Sequence, residues 1–438
     1  MRLDYQLDER LPILKSVVLG LQWAVVATSL IIILGKVAAA VHSDQPLDQI
    51  TYLQKLFFVT AISILIQLLW GHKLPVISGP ATIVLLGVLS SQAASVDAVY
   101  TSVMVGGVLL SIVTLTGLFN LLRNLFTRRI VAVVLLLIAV TLAPTIVRLI
   151  ATDEGGVSPL ANILFALALI TVMYFLHRLL KGMWKSALIM WAMALGSLSY
   201  LLLFPGSMAP LRMGEVGLVR SFFSGLVTRP ELDPGVLIAF LFCYVALSIN
   251  DIGAIQSMEP LLNPANMAGR VKRGMTLTGL SNLLAGFFGV LGTVNFSLSP
   301  GIVISTACAS QYALLPGAIL ILVLSFSPGI IDLLDSVPSV VIGCVLLYIT
   351  TSQFASGLIL AFQGRDDQPF GYDDAVVIGL PVLIGTVFAF LPAAVVESFP
   401  VVLRPTLGNG FVMGIASAFL LEHLVFRPAR AKDGEAVS

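Results

Sequence analysis

Leu74-Pro75-Val76-Ile77-Ser78-Gly79-Pro80-Ala81-Thr82-Ile83 and Val294-Asn295-Phe296-Ser297-Leu298-Ser299-Pro300-Gly301-Ile302-Val303 are two apolar stretches that share one kind of interruption. Each sets serine beside a Gly/Pro pair, between β-branched residues. Pro removes a backbone donor and Gly weakens helix propagation, so neither stretch is suited to an unbroken helix. The expected form of both is extended backbone followed by a half-helix. At membrane depth such backbone persists only where protein or a cavity supplies its missing partners. A half-helix that begins mid-membrane also aims its first N–H groups, and the positive end of its dipole, at that cavity. Corresponding breaks in two halves of a chain therefore point to a solute site. Two Pro/Gly kinks in ordinary packed helices are the alternative reading.

The rest of the chain places these breaks in lipid. Of 438 residues, 58% are hydrophobic and 11% charged, against about 25% charged in soluble domains. The mean hydropathy is +1.01, and apolar surface on this scale needs a bilayer around it. A net charge of +1 argues against a nucleic-acid partner, which would need a basic face. Cys243, Cys308 and Cys344 lie in apolar runs without metal-type spacing and are expected to be packing residues. No cleavable leader is visible: the apolar run from Leu14 is long enough to span a bilayer.

Apolar runs between charges and Pro/Gly breaks predict about fourteen membrane segments. They cover 14–35, 52–71, 74–92, 98–121, 130–150, 159–178, 184–204, 235–257, 274–292, 296–309, 312–332, 338–360, 373–391 and 406–426. With the N-terminus inside and alternating crossings, 17 of the 24 Lys and Arg fall on the inner side, Arg123, Arg128, Arg129, Arg178, Lys181, Lys185, Arg270, Lys272 and Arg273 among them. Lys36, Lys55, Arg148, Arg212, Arg220, Arg229 and Arg404 fall outside. This bias predicts a multi-pass protein of the inner (plasma) membrane with both termini cytoplasmic. A polar stretch at 205–234 divides the chain into 1–204 and 235–426, seven segments each, with a cytoplasmic tail at 427–438. An odd number of helices per repeat inverts the second copy.

Polar residues inside segments are costly and often functional. Asn250 and Asp251 lie deep in the eighth segment, about 100° apart on a helix. Asp251 could carry a proton or pair with a cation, or it could bond neighbouring helices. Gln22, in the first segment, can offer both donor and acceptor to a planar ligand, or join helices. Asn282 is expected to bond the backbone of a broken neighbour. Glu422 and His423 are expected at the interface, and Gly408, Gly410, Gly414 and Ala416 as close-packing positions.

In these stretches the chain resembles the nucleobase/ascorbate transporter family, the uracil and xanthine permeases, across nearly its whole length. Gly20-Leu21-Gln22 resembles the first-helix Gln–His motif, with Trp23 in place of His. Leu74–Thr82, Ile130–Leu142, Gly279–Gly289 and Val337–Gly357 resemble the family's third, fifth, ninth and twelfth segments, in the right order. The tenth-segment signature, Asn–x–Gly, four residues, then Thr, is matched in spacing by Ser299-Pro300-Gly301 and Thr306. The resemblance implies an all-α polytopic fold of 7+7 inverted repeats with short β-strands in segments 3 and 10. Segments 1–4 and 8–11 would form a core domain, and 5–7 and 12–14 a gate, commonly in a homodimer. Two contacts depart from the pattern: the eighth-segment acidic residue falls on Asn250, and the tenth-segment Glu or Gln falls on Leu298.

The expected activity is secondary transport of a small solute, foremost a purine or pyrimidine base, coupled to protons or sodium. The candidate substrate-binding residues are Gln22, Ser78, Ala81, Asn250, Ser297 and Ser299, with Asp251 as coupling group. Gln22 and Asn250 would hydrogen-bond the solute, and the half-helix amides near Ala81 and Ser299 would polarise it. An anion transporter of the sulfate-permease-like fold is the second reading, suited to half-helix N-termini without a carboxylate. No enzyme motif, cofactor motif or metal-type cluster is present, and Asp366-Asp367 and Asp373-Asp374 are expected on a solvated face.

Overall fold

The computed structural model describes residues 3–118, 127–152, 156–207, 223–362 and 370–426. Arg123, Arg212, Arg220, Arg365, Asp366, Asp367 and the tail 427–438 lie outside the described residues. The first half holds α1 (Ile13–His42), α2 (Pro46–Leu69), β1 (Ser78–Pro80), α3 (Thr82–Ser90), α4 (Val96–Thr116), α5 (Arg128–Thr141), α6 (Ala143–Ile150), α7 (Pro159–Leu179), α8 (Gly182–Ser186) and α9 (Leu188–Leu203). The second holds α10 (Pro234–Gln256), α11 (Met267–Phe287), β2 (Thr293–Asn295), α12 (Ser299–Thr306), α13 (Leu315–Ser325), α14 (Pro328–Asp335), α15 (Ser339–Phe362), α16 (Tyr372–Ala389) and α17 (Gly410–Leu420).

Local chemistry sets these boundaries. Pro46, Pro159 and Pro234 open helices at the position where a missing N–H costs nothing. Ser95, Ser158, Asp233 and Asn409 cap first turns with side-chain oxygens. Among the described residues, eight helices are long and apolar enough to cross a membrane, or nine if one bent pair counts as a span. That pair covers the eleventh segment expected over 312–332 and is bent within it. Gln311–Ser325 and Pro328–Asp335 meet at 95°, because Pro328 cannot continue the helix before it. The fifth segment, by contrast, is interrupted only at Leu142, between α5 and α6, and Arg128–Ile150 remains one span.

The packing carries the inverted repeat. Exchanging the two halves maps segment 2 onto 9, 4 onto 11 and 1 onto 8. The observed contacts obey that exchange: α4 packs on α11 as α2 packs on α13, and α1 on α13 as α10 on α4. The pair β1–β2 maps onto itself. These elements and the two half-helices form one bundle. A second is built from α5, α7, α15, α16 and α17, where α5 packs on α15, α16 and α17.

Small residues allow the closest crossings. A Cβ on Gly20 would lie 2.9 Å from the Gly317 nitrogen, and one on Gly107 would lie 2.6 Å from the Gly279 oxygen. In the second bundle, Gly410 meets Gly385, and Gly414 meets Leu137 and Pro381. These are the close-packing contacts expected of the last helix. The three cysteines are buried and free.

Two carboxylates expected near the surface share one partner. Glu422 is 1% exposed and 3.0 Å from Arg129, which also holds Asp374 at 2.7 Å. The arginine in α5 draws both carboxylates inward, since its fixed fork can satisfy two at once. Asp373, by contrast, is exposed.

The glycine crossings generate a test. Gly317→Val should overpack the α1–α13 crossing, cost about 1–3 kcal/mol and lower the thermal midpoint in detergent. Gly329→Val, whose added atoms meet open space, should leave it near wild type. Equal midpoints for both variants would contradict the close crossing.

Candidate functional site

The two interrupted segments meet as an antiparallel strand pair, with Ser78 opposite Asn295, Gly79 opposite Val294 and Pro80 opposite Thr293. Each strand leads into its own half-helix, so α3 and α12 run from the pair in opposite directions. The N–H of Ala81 donates to Gly292 O at 2.8 Å and that of Phe296 to Ile77 O at 2.8 Å, extending the ladder beyond the strands. Only glycine fits at 292 and 79: an added Cβ would strike Asn282 at one and the Phe296 ring at the other.

Behind the strands lies a buried polar network centred on Asn295. Its backbone N–H and side-chain Nδ2 both donate to Asp251 Oδ1, at 2.9 and 2.8 Å. Its Oδ1 accepts the Ser78 hydroxyl at 2.6 Å and faces His72 Nε2 at 3.3 Å. His72 Nδ1 accepts the Leu74 N–H at 3.0 Å, so Nε2 carries the ring proton. Gln67 Nε2 donates to Gly274 O and the Thr278 hydroxyl. Asp251 Oδ2 is buried without a well-formed hydrogen bond; the Thr278 hydroxyl interacts with the carboxyl.

Asn282 performs the role expected of it. Its Nδ2 donates to Thr293 O and to Thr278 O, both at 2.7 Å, and its Oδ1 accepts the Tyr244 hydroxyl at 2.8 Å. Arg270 clamps the approach to β1 through His72 O and Lys73 O at 2.9 and 2.8 Å. Lys73 there has a left-handed φ of 53°.

The structure sorts the seven candidate residues into two groups. Ser78, Ala81, Asp251 and Ser299 are buried in or behind the strands. The Ser299 hydroxyl accepts the Ile77 N–H at 3.1 Å and donates to Phe296 O at 2.8 Å, which ties the two breaks together. Ala81 is the N-cap residue of α3, with its own N–H committed to Gly292. Gln22 and Asn250 are half-buried, and Ser297 is exposed. Open space lies over Gly253, on the same helix as Asn250, and over Gly301 in α12. Asn295, Gln67, His72 and Thr278 were not singled out from the sequence. Gln67 is polar inside an apolar segment and was findable by the criterion that found Gln22.

Two cavities lie along the seam between the bundles. One, of 350 Å³, is lined by the far end of α3 (Leu89, Ser90), by Thr145 and Arg148, and by Asn409. The other, of 210 Å³, is lined by Gln22 and Val26 of α1, Ile302 of α12, and Trp184 and Trp191 of α8–α9. Since α3 and α12 diverge from the strand pair, the cavities sit toward opposite ends of the seam. Asn409 Nδ2 donates to Ser90 Oγ at 2.8 Å across the first of them.

An inverted-repeat helical bundle with paired half-helices at its centre, a second bundle against it and cavities along the seam defines a membrane transporter. The family is shown directly: the chain belongs to the xanthine/uracil permease family, whose model, "Permease family", matches residues 14–394. It is similar to the YwdJ protein of Bacillus subtilis, 24% identical over 96% of this chain and 98% of that one. It is also similar to the xanthine permease of Bacillus subtilis, 22% identical over 89% of each. In fold it matches the transmembrane domain of a cyanobacterium bicarbonate transporter, BicA, with a TM-score of 0.63 at 14% identity, over 86% of this chain and 95% of that one. The protein is a multi-pass membrane permease for a small solute, not an enzyme.

The network generates a stability test. Single hydrogen bonds between membrane helices average about 0.6 kcal/mol, but Asn295 holds a buried carboxylate as well as Ser78 and His72. Asn295→Ala should therefore cost on the order of 3 kcal/mol, read as a lower thermal midpoint in detergent. A midpoint within error of wild type would remove Asn295 from the centre of the fold.

Proposed function

We propose that this permease carries a purine or pyrimidine nucleobase across the plasma membrane by alternating access. The observation that carries the reading is the strand pair with its diverging half-helices, set between two cavities at opposite ends of one seam. Movement of the strand-bearing bundle against the other would open one cavity and close the other. The base would lie on the accessible face, against Asn250, Ser297 and the positive end of the α12 dipole, since the Ser299 and Gly301 N–H groups are already bonded to Phe296 O and Leu298 O. Full-length similarity to a xanthine permease supports a base as solute. The Lys and Arg distribution supports fourteen crossings with both termini cytoplasmic, and assembly as a homodimer belongs to the same proposal.

Asp251 is the proposed coupling group, with a proton as the coupling ion. It lies behind β2 rather than beside Asn250, so protonation would act by changing how tightly Asn295 and β2 are held. Asp251→Asn keeps an acceptor for the Asn295 donors and should fold. It should abolish accumulation driven by a proton gradient in proteoliposomes while retaining exchange of labelled for unlabelled base. Unchanged uphill uptake by the variant would exclude the coupling role.

The anion reading keeps one observation in its favour: position 298, just before α12, is Leu and not an acidic residue. A thermal shift of the purified protein separates the two readings. A solute at a hundredfold excess over its dissociation constant stabilises the folded state by about 2.7 kcal/mol. Xanthine, uracil or urate should raise the midpoint, and sulfate, chloride and bicarbonate should not. A rise with the anions alone would overturn the nucleobase assignment.

A further inference from the structure

The 210 Å³ cavity between α1, α12 and α8–α9 differs in chemistry from the strand pair. Its walls carry Val25, Met190 and Ile302, and no Lys, Arg, Asp or Glu lines it. On one side, Trp184 and Trp191 stack with ring centroids 5.4 Å apart and planes at 25°. Facing them from α1 is Gln22, which lines the same space. Two polar atoms at this place are buried without a hydrogen-bond partner: Gln22 Oε1 and Trp191 Nε1. One is an acceptor and the other a donor.

These features select an occupant. An anion entering here would lose its hydration without meeting a counter-charge, and a sugar would bury hydroxyls against aliphatic walls. The volume lies below the roughly 300–1,000 Å³ of pockets for drug-sized ligands. A flat heteroaromatic ring with N–H and carbonyl groups on its edge has the matching properties. It can lie against an indole face, where base–aromatic stacking operates without sequence preference. Gln22 Oε1 and Trp191 Nε1 are inaccessible as they stand, and a rotation of either side chain toward the cavity would let the edge of the ring supply the missing donor and acceptor.

We propose that Trp184, Trp191 and Gln22 form a second ring-binding subsite for the transported base, on the α12 side of the strand pair. The proposal rests on the nucleobase reading. Trp191 lies on α9, which packs on α7 and α15 of the second bundle, whereas Gln22 and Ile302 belong to the bundle that carries the strands. A ring held here touches both bodies, so its affinity depends on how the seam is closed. The subsite thereby sets ring preference on one side of the membrane.

The test uses the purified full chain and two readouts, tryptophan fluorescence and thermal shift, with xanthine and uracil as probes. Trp184 is 56% exposed, so its replacement should leave folding intact. Bases should quench wild-type fluorescence. Trp184→Ala should weaken base affinity about tenfold or more, Trp184→Phe should restore most of it, and Gln22→Ala should also weaken it. Wild-type affinity in Trp184→Ala and Gln22→Ala would overturn the subsite and leave the transport reading standing. Absence of any base-dependent thermal shift in wild type would overturn the transport reading, and the subsite with it. Quenching by brominated acyl-chain lipid that bases do not displace would show the cavity to be lipid-filled and would likewise overturn the subsite.

Discussion

Main-chain hydrogen bonding at membrane depth is the constraint on which the rest of this structure depends. Two segments leave the helical form inside the apolar layer, and every N–H and C=O they expose would cost several kcal/mol if left unpaired. The solution is distributed. The strands pair with each other, Ala81 and Phe296 extend the ladder, and side chains meet what remains: Asn282 at Thr293 O, Asp251 at Asn295 N–H, Ser299 at Ile77 N–H and His72 at Leu74 N–H. Much of the polarity in the membrane interior therefore serves backbone. Solute contacts have to be sought among the polar residues that remain accessible.

The same constraint separates rigid from movable parts. The strand-bearing bundle is crossed by glycine contacts and by a network whose members are nearly all inaccessible, so its pieces cannot shift independently. The seam between the bundles is different. It holds two cavities, and the Asn409–Ser90 bond is a side-chain contact that can break without exposing irregular backbone. A stiff body on a weakly bonded seam is the arrangement that rigid-body alternation requires.

Much of this was legible in the sequence, for identifiable reasons. The paired breaks at 74–83 and 294–303 are local signals, because Pro, Gly and Ser act where they stand, and they gave the strands, the half-helices and the inverted halves. The role of Asn282 was legible because a single amide deep in an apolar helix must find a partner. The site was less legible because burial is not local. Ser78 and Ser299 look alike to Ser297 in the sequence, yet the first two hydroxyls are spent on Asn295, Ile77 and Phe296 while Ser297 is exposed. Asn295 went unnoticed since its importance comes from His72, Ser78 and Asp251, which reach it from two other stretches of the chain. The ion pair of Glu422 was hidden for the same reason: its partner Arg129 lies in another segment.

Asp251 joins these arguments. A buried carboxylate could serve a solute directly or serve the backbone, and here one oxygen accepts two donors from Asn295 while the other is without a well-formed partner. Charge on the group strengthens both Asn295 bonds, since bonds to an ionised acceptor are roughly twice as strong as neutral ones. Loss of that charge weakens the hold on the residue that ends β2, four positions before the half-helix α12 begins. If Asp251 is the coupling group, ion and solute need never touch. The linkage would run through the position of β2, and the reciprocity of such coupling requires that solute bound at α12 alter the proton affinity of Asp251 by the same factor.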